Sequence, residues 1–220
     1  MNEQAFINGR GWPVVARPRG VEDAVILQAA ARVMGRVGPS GLTLAAVARE
    51  VGLVPGTLVQ RFGSKHGLLL ALADRSAEEA GELAVRARTA HPSALGALAA
   101  LASQTLAGMD TPESFAHHLA FLCTDLTDPQ LYERALAVHR SQRRAIESLL
   151  AEAAQAGELR AGTDVAALAG TVQAITAGAG LTWAVERRGS LAERLRHELD
   201  TVLRPHLPTR TRHRREPEKS

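Results

Sequence analysis

The sequence predicts an all-α fold of about nine helices, three short ones followed by longer ones. Three observations predict it. The 220 residues are 45% hydrophobic and rich in Ala and Leu, with only seven aromatics (Phe 4, Trp 2, Tyr 1). The period-two alternation of Val, Ile, Thr and Tyr that builds half-buried strands is nearly absent. Apolar residues instead recur three and four apart between N-cap and turn signals. A chain of this length can bury a sizeable core as one or two domains.

Residues 1–20 hold Gly9, Gly11, Pro13, Pro18 and Gly20 beside Arg10, Arg17 and Arg19, the composition of a flexible basic arm. A first helix is expected over Val21–Val37, where Val25, Ile26, Ala29, Ala30, Val33 and Val37 share one face, and "GPSG" at 38–41 stops it. Thr43 caps a second, Leu44–Val51. Gly52 ends that helix, and Pro55 suits the first turn of a third, to about Arg61. Ser64 caps a fourth, Lys65 to about Arg88. His91-Pro92-Ser93 opens the next, to about Met109, and Thr111-Pro112-Glu113 one to about Asp125. Asp128-Pro129 begins a long helix ending near Gly157, and Thr163-Asp164 another to about Arg187. Ser190-x-x-Glu193 is a capping box for the last, which runs to about Leu203 before Pro205 and Pro208. No repeat of 20–50 residues is present.

Charge is unevenly spread. Residues 1–70 carry eight Lys/Arg against four Asp/Glu (net +4), 71–203 twelve against seventeen (net −5), and 204–220 six against two (net +4). Basic ends suggest a polyanion partner, although for 204–220 a solvated basic tail is the preferred account, and 208–220 is expected to be a disordered basic tail. Cys123, the single cysteine, sits in an apolar run and reads as a buried small hydrophobe in a reducing, cytoplasmic setting. No basic n-region precedes an apolar core at the N-terminus. Val165–Val185 is uncharged over spanning length, but its Ala, Gly and Thr content and Gln173 make it a buried helix, with no membrane partner expected.

The stretch "LAAVAREVGLVPGTLVQRF" at 44–62 carries the functional signal. Val47, Ala48 and Val51 face inward from one helix, and Leu53, Leu58 and Phe62 from the next element. Ala48 is small where the two helices cross, and Gly52 supplies the turn. This is a helix-turn-helix, whose second helix can lie in a DNA major groove while the first crosses the backbone. Pro55, Gly56, Thr57, Gln60 and Arg61 are then its exposed positions. Thr57 suits a thymine methyl or phosphate, Gln60 adenine, and Arg61 guanine or phosphate. Thr43 and Lys65 flank the unit at helix N-termini that favour phosphate. The plain alternative for each is a solvated surface side chain.

With those residues in place, the run "ILQAAARVMGRVGPSGLTLAAVAREVGLVPGTLVQRFGSKHGLLLAL", 26–72, resembles the TetR family of one-component transcriptional regulators. "GLTLAAVAREVG", "GTL", "F" and "SK-x-x-L-L" keep the family's order and spacing over about a fifth of the chain. Two positions depart from it: Val54 stands where the family usually caps with Ser or Thr, and Val59 where it usually has a phosphate-contacting Tyr. The resemblance implies a helix-turn-helix DNA-binding domain over 21–66 and a helical effector-binding and dimerisation domain over 67–207. It implies a dimeric repressor that binds a palindromic double-stranded DNA operator and is released by a small-molecule effector.

Ala166, Gly170, Ala174 and Gly178 recur every fourth residue as a shallow ridge, and Leu191, Leu195, Leu199 and Val202 line an edge of the last helix. Two such helices from each of two subunits would close a four-helix interface, unless both pack within the chain. By resemblance this is the homodimer contact. A ligand cavity, also implied by the resemblance, has Met109, Phe115, His118, Phe121, Leu122, Gln173 and Trp183 as candidate walls, with ordinary core as the alternative. His117 and His118 point about 100° apart on a helix and are poor joint metal ligands. Arg140, Arg143 and Arg144 read as a solvated face or an anionic-ligand clamp. No Glu-x-x-His, HExxH, GxSxG, Walker A or GxGxxG occurs. The expectation is a protein without catalytic residues, metal or cofactor; the alternative is a helical dimeric binding module with weak or no DNA binding.

Overall fold

The computed structural model describes residues 21–208, which contain nine α-helices, one 3-10 turn and no strand. The basic arm expected over 1–20 lies outside these residues, as does the tail expected over 208–220 apart from Pro208. The helices are α1 Asp23–Gly41, α2 Leu44–Glu50, α3 Pro55–Phe62, α4 Lys65–Ala90, α5 Ala94–Thr105, α6 Pro112–Asp125, α7 Pro129–Gln155, α8 Val165–Glu186 and α9 Leu191–Leu203.

Polar caps set most of the starts. Thr43, Ser64, Ser93, Thr111, Asp128, Asp164 and Ser190 each accept a backbone N–H of the helix they precede. The α5 start gains a second partner, since the Glu158 carboxylate accepts the amides of Ala94 (2.9 Å) and Leu95 (3.1 Å). Two ends differ from expectation. α1 breaks at Gly38 (φ 67°, ψ −174°) yet resumes for one turn through Pro39 to Gly41. α5 stops at Thr105 instead of near Met109, because the chain turns at Leu106 and Gly108 takes a φ of 85°.

One core joins α1, α2, α3 and the start of α4 around Ile26, Ala30, Val47, Ala48, Leu58 and Leu68. Leu58 is the one fully covered side chain of α3, and its burial is worth about 1.5–3 kcal/mol, enough to seat so short a helix. Phe121 of α6 enters this same core. A larger core lies between α4, α5, α7, α8 and α9. A third, small cluster stacks Phe115, Trp183 and Leu191, with the Phe115 ring directly over Gly180. By length and composition α8 could cross a bilayer, but it packs here between α6, α7 and α9.

Candidate functional site

α2 and α3 meet at Ala48, which is fully buried, and the turn between them is closed by the Leu53 amide donating to the Ala48 carbonyl at 2.8 Å. Gly52 sits in that turn at φ 69°. On α3, Pro55, Gly56, Val59 and Gln60 point to solvent, Thr57 is half-buried, and Leu58 faces inward. Val54 precedes the helix without a side-chain cap and is 68% exposed; Val59 is 50% exposed.

The cations around this surface are partly engaged. Arg61 turns away from the exposed face of α3 and bonds the Val21 carbonyl and, at 3.0 Å, Asp23. It therefore ties the start of α1 to α3; Arg61 is exposed, as expected, but at about 240° from Pro55 around the helix its guanidinium points sideways, to α1. Lys65 donates to the Pro39 carbonyl at 2.5 Å, and Thr43 is occupied as the α2 cap. Arg36 and Arg32 hold Glu50 of α2, and the Arg36 hydrogen bond keeps that carboxyl below its ordinary range.

Several contacts tie these helices to the rest of the chain. His117 of α6 donates to the Gly35 carbonyl at 2.8 Å, and the neighbouring His118 ring lies against Gly35 itself. At the N-terminus of α4, His66 bonds Gln130 at 3.0 Å, and one helical stretch later Asp74 pairs with Arg134 of α7 at 2.7 Å. Asp125, half-buried and beside Asp128, has its carboxyl pushed up to about 6, first by burial and then by that neighbour.

A cavity of about 690 Å³ opens between α1, α4, α5, α6, α7 and α8. Of the candidate walls, Met109, His118 and Gln173 line it. Gln173 is the one buried polar side chain among the described residues, and its amide nitrogen donates to the His139 carbonyl (2.8 Å) and ring (3.2 Å). The other four are displaced. Phe115 and Trp183 fill their own cluster against Leu191, Phe121 belongs to the core of α1–α4, and Leu122 is 45% exposed on the outer side of α6. The reason is that α6 lies between α1 and α8, so its apolar positions divide between two neighbours. Cys123, expected inside, is also exposed on that outer side.

Much of the wall comes from residues without a distinctive signal, among them Leu72, Ser76 and Glu79 of α4 and Val138, Gln142 and Arg143 of α7. The four- and three-residue spacing of Leu72, Ser76 and Glu79, and the four-residue step from Val138 to Gln142, mark shared helix faces, but only tertiary packing turns those faces toward a cavity. The lining charges are paired: Glu79 with Arg75 (2.8 Å) and Arg143 with Glu147 (2.8 Å). Arg143 also crosses to the Ala166 carbonyl and lies over Gly170, while Arg140 and Arg144 are exposed.

The expected self-association edge also divides. Leu191, Leu195 and Leu199 are buried inside the chain, and Val202 packs partly against the same core. Their face of α9 is spent on α5, α8 and, at Leu191, Phe115 of α6, so these leucines are covered within the chain. On α8, Ala166, Ala174 and Gly178 are exposed and Gly170 half-exposed. With Ala167, Thr171, Leu181 and Val185, the last 75% exposed, they form an uncharged outer face.

Residues 26–72 match the family described as bacterial regulatory proteins, tetR family, and residues 123–199 match the tetracyclin repressor-like C-terminal domain. Solved structures share the fold across most of the chain. A protein of Saccharomonospora viridis in complex with choline aligns with a TM-score of 0.69 at 20% identity, over 86% of this chain and 98% of that one. FadR of Bacillus subtilis, in complex with stearoyl-CoA, gives 0.61 at 19%, over 82% and 97%. SmeT, the repressor of the Stenotrophomonas maltophilia multidrug efflux pump SmeDEF, gives 0.58 at 21%, over 86% and 92%. No curated protein matches the chain.

Proposed function

The chain belongs to the TetR family of transcriptional regulators, and from that premise we propose that it is a dimeric repressor released from its operator by a small-molecule effector. The observation that carries this reading is the sharing of helices between cavity and reader. Ala31 and Met34 of α1 line the cavity, as do Leu72 and Ser76 of α4, and the same two helices hold α2 and α3 in place. A ligand that fits the cavity better in one disposition of α1, α4 and α6 shifts the population toward it by its difference in affinity. The reader domain corresponds to residues 21–66 and the effector domain to 67–207, with the protein working in the cytoplasm where its DNA lies.

Two copies are proposed to meet through the uncharged outer face of α8, since an exposed apolar face, covered in its own chain only where Arg143 lies over Gly170, marks an interaction site. Such a dimer presents two α3 helices to half-sites about one helical turn apart. On α3 the proposed base-facing positions are Pro55, Gly56, Thr57 and Gln60, with Thr43 and Lys65 beside the phosphates. The effector is proposed to meet Met109, His118 and Gln173. A second reading, a dimeric ligand-binding module that no longer reads DNA, draws on the uncapped start of α3 at Val54.

Titration of the purified protein against DNA from upstream of its own gene, at two salt concentrations and beside a scrambled duplex, separates the two. Preference for the native duplex with a steep fall of affinity in salt supports the regulator. Equal, weak binding to both duplexes supports the module.

A further inference from the structure

Resting on the DNA-binding reading above, the geometry points to Val59 as a reader of a thymine methyl group in the operator's major groove. Pro55, Gly56, Val59 and Gln60 share one exposed face of α3 that carries no charge of its own, and the exposed Arg61 lies about 100° beyond Gln60 at its edge. The one cation of this helix, Arg61, is committed to Asp23 and the Val21 carbonyl. Val59 stands half-exposed at the centre of this face, between Pro55 and Gln60. A side chain added at Gly56 or at Gly63 would meet nothing, so no other part of the described chain crowds the surface.

A branched aliphatic group pressed into the major groove can satisfy only one base edge. Thymine offers a C5 methyl there, whereas guanine and cytosine present hydrogen-bonding groups that Val would strip of water without replacing. The same position therefore attracts thymine and rejects the alternatives. A protein occupant is disfavoured because four small side chains fall far short of the roughly 800 Å² per partner that a stable protein interface covers.

The test uses the full-length protein and the duplex it selects from a random pool. Each thymine is replaced in turn by deoxyuridine, which keeps base pairing and removes only the methyl. One thymine per half-site is expected to lose about fourfold in affinity, the worth of one buried methyl-sized group, while the rest change little. Val59→Ala is expected to bind the parent duplex about fourfold more weakly and to lose discrimination between thymine and deoxyuridine at that position. Val59→Thr, which keeps one methyl, should fall between them. The salt slope should be the same for all three proteins, since Val59 meets no phosphate. Deoxyuridine without effect anywhere, or an effect that survives Val59→Ala, overturns the inference while leaving the regulator intact. Failure to select any sequence overturns the DNA-binding reading itself, and this inference with it.

Discussion

Replacing Gly38 by alanine is expected to cost the protein roughly 2–4 kcal/mol, through two separable effects. The first is backbone strain. Gly38 has φ 67° and ψ −174°, a region essentially confined to glycine, and holding another residue there costs about 1–3 kcal/mol. The second is steric. A Cβ at Gly38 would lie 2.9 Å from His117 Cδ2 and 3.4 Å from its Cγ and Nε2. The ring must then move, and its 2.8 Å hydrogen bond to the Gly35 carbonyl, worth about 0.5–1.5 kcal/mol, weakens or breaks. For a chain of this size each kcal/mol lowers Tm by about 2–4 °C, so thermal unfolding followed by circular dichroism should show a drop of roughly 5–15 °C. The double variant Gly38→Ala/His117→Ala isolates the steric part. It should be less destabilised than the sum of the two single variants by about 0.5–1.5 kcal/mol, because that sum counts the lost bond twice and includes a clash that the double variant does not have. Strict additivity would show that the ring does not press on Gly38. A Gly38→Ala variant that unfolds within 2 °C of the parent would refute the backbone argument as well.

Two further outcomes are expected. Val54→Ser should raise stability by about 1 kcal/mol, seen as an increase of roughly 2–4 °C in Tm, because the first turn of α3, where Pro55 has no N–H and the Thr57 amide is held by the Val54 carbonyl alone, then gains a side-chain acceptor for its amides; an unchanged Tm would show that the turn needs none. The second concerns pH. Because burial raises Asp125 from 3.8 to about 6, the native state binds a proton more tightly than the unfolded chain, so this group makes stability fall as pH climbs from about 4 to 6 and then level off. Asp125→Asn should abolish that contribution and raise stability at pH 7 by about 1 kcal/mol, the full interval of about 3 kcal/mol being discounted for a carboxyl half in contact with water. Urea unfolding of both proteins at pH 4.5 and pH 7 tests it, and an equal difference at the two values would refute it.

Helix starts were the most legible part of the sequence, because a cap is a local device: Thr43, Ser64 and Ser190 act on amides two or three residues away, and those neighbours are visible in the chain. The helix-turn-helix was legible for the same reason, since Ala48, Gly52 and Leu58 do their work within one short stretch. The end of α5 was harder, because the Ala-rich run up to Gly108 has no strong stop before it. Leu191, Leu195 and Leu199 show a more basic limit. A leucine stripe states that a face will be covered, but not whether by the same chain or another, and here α5, α6 and α8 cover it. The cavity walls were least legible: a residue such as Gln142 lines empty space only because six helices stand apart around it.

Within two turns, α6 sends His117 to α1, His118 to the cavity, Phe115 to α8 and Phe121 into the core beneath the reader. Such a helix is a shared component, and shared components forbid independence. A fragment cut after residue 72 would lack Phe121 and leave its own core open to water. The N-terminal unit is therefore a borrower, whole only while the sensor lends it a side chain. Melting should follow as a single cooperative event, and a chimera that grafts this reader onto a foreign sensor would need that phenylalanine supplied again.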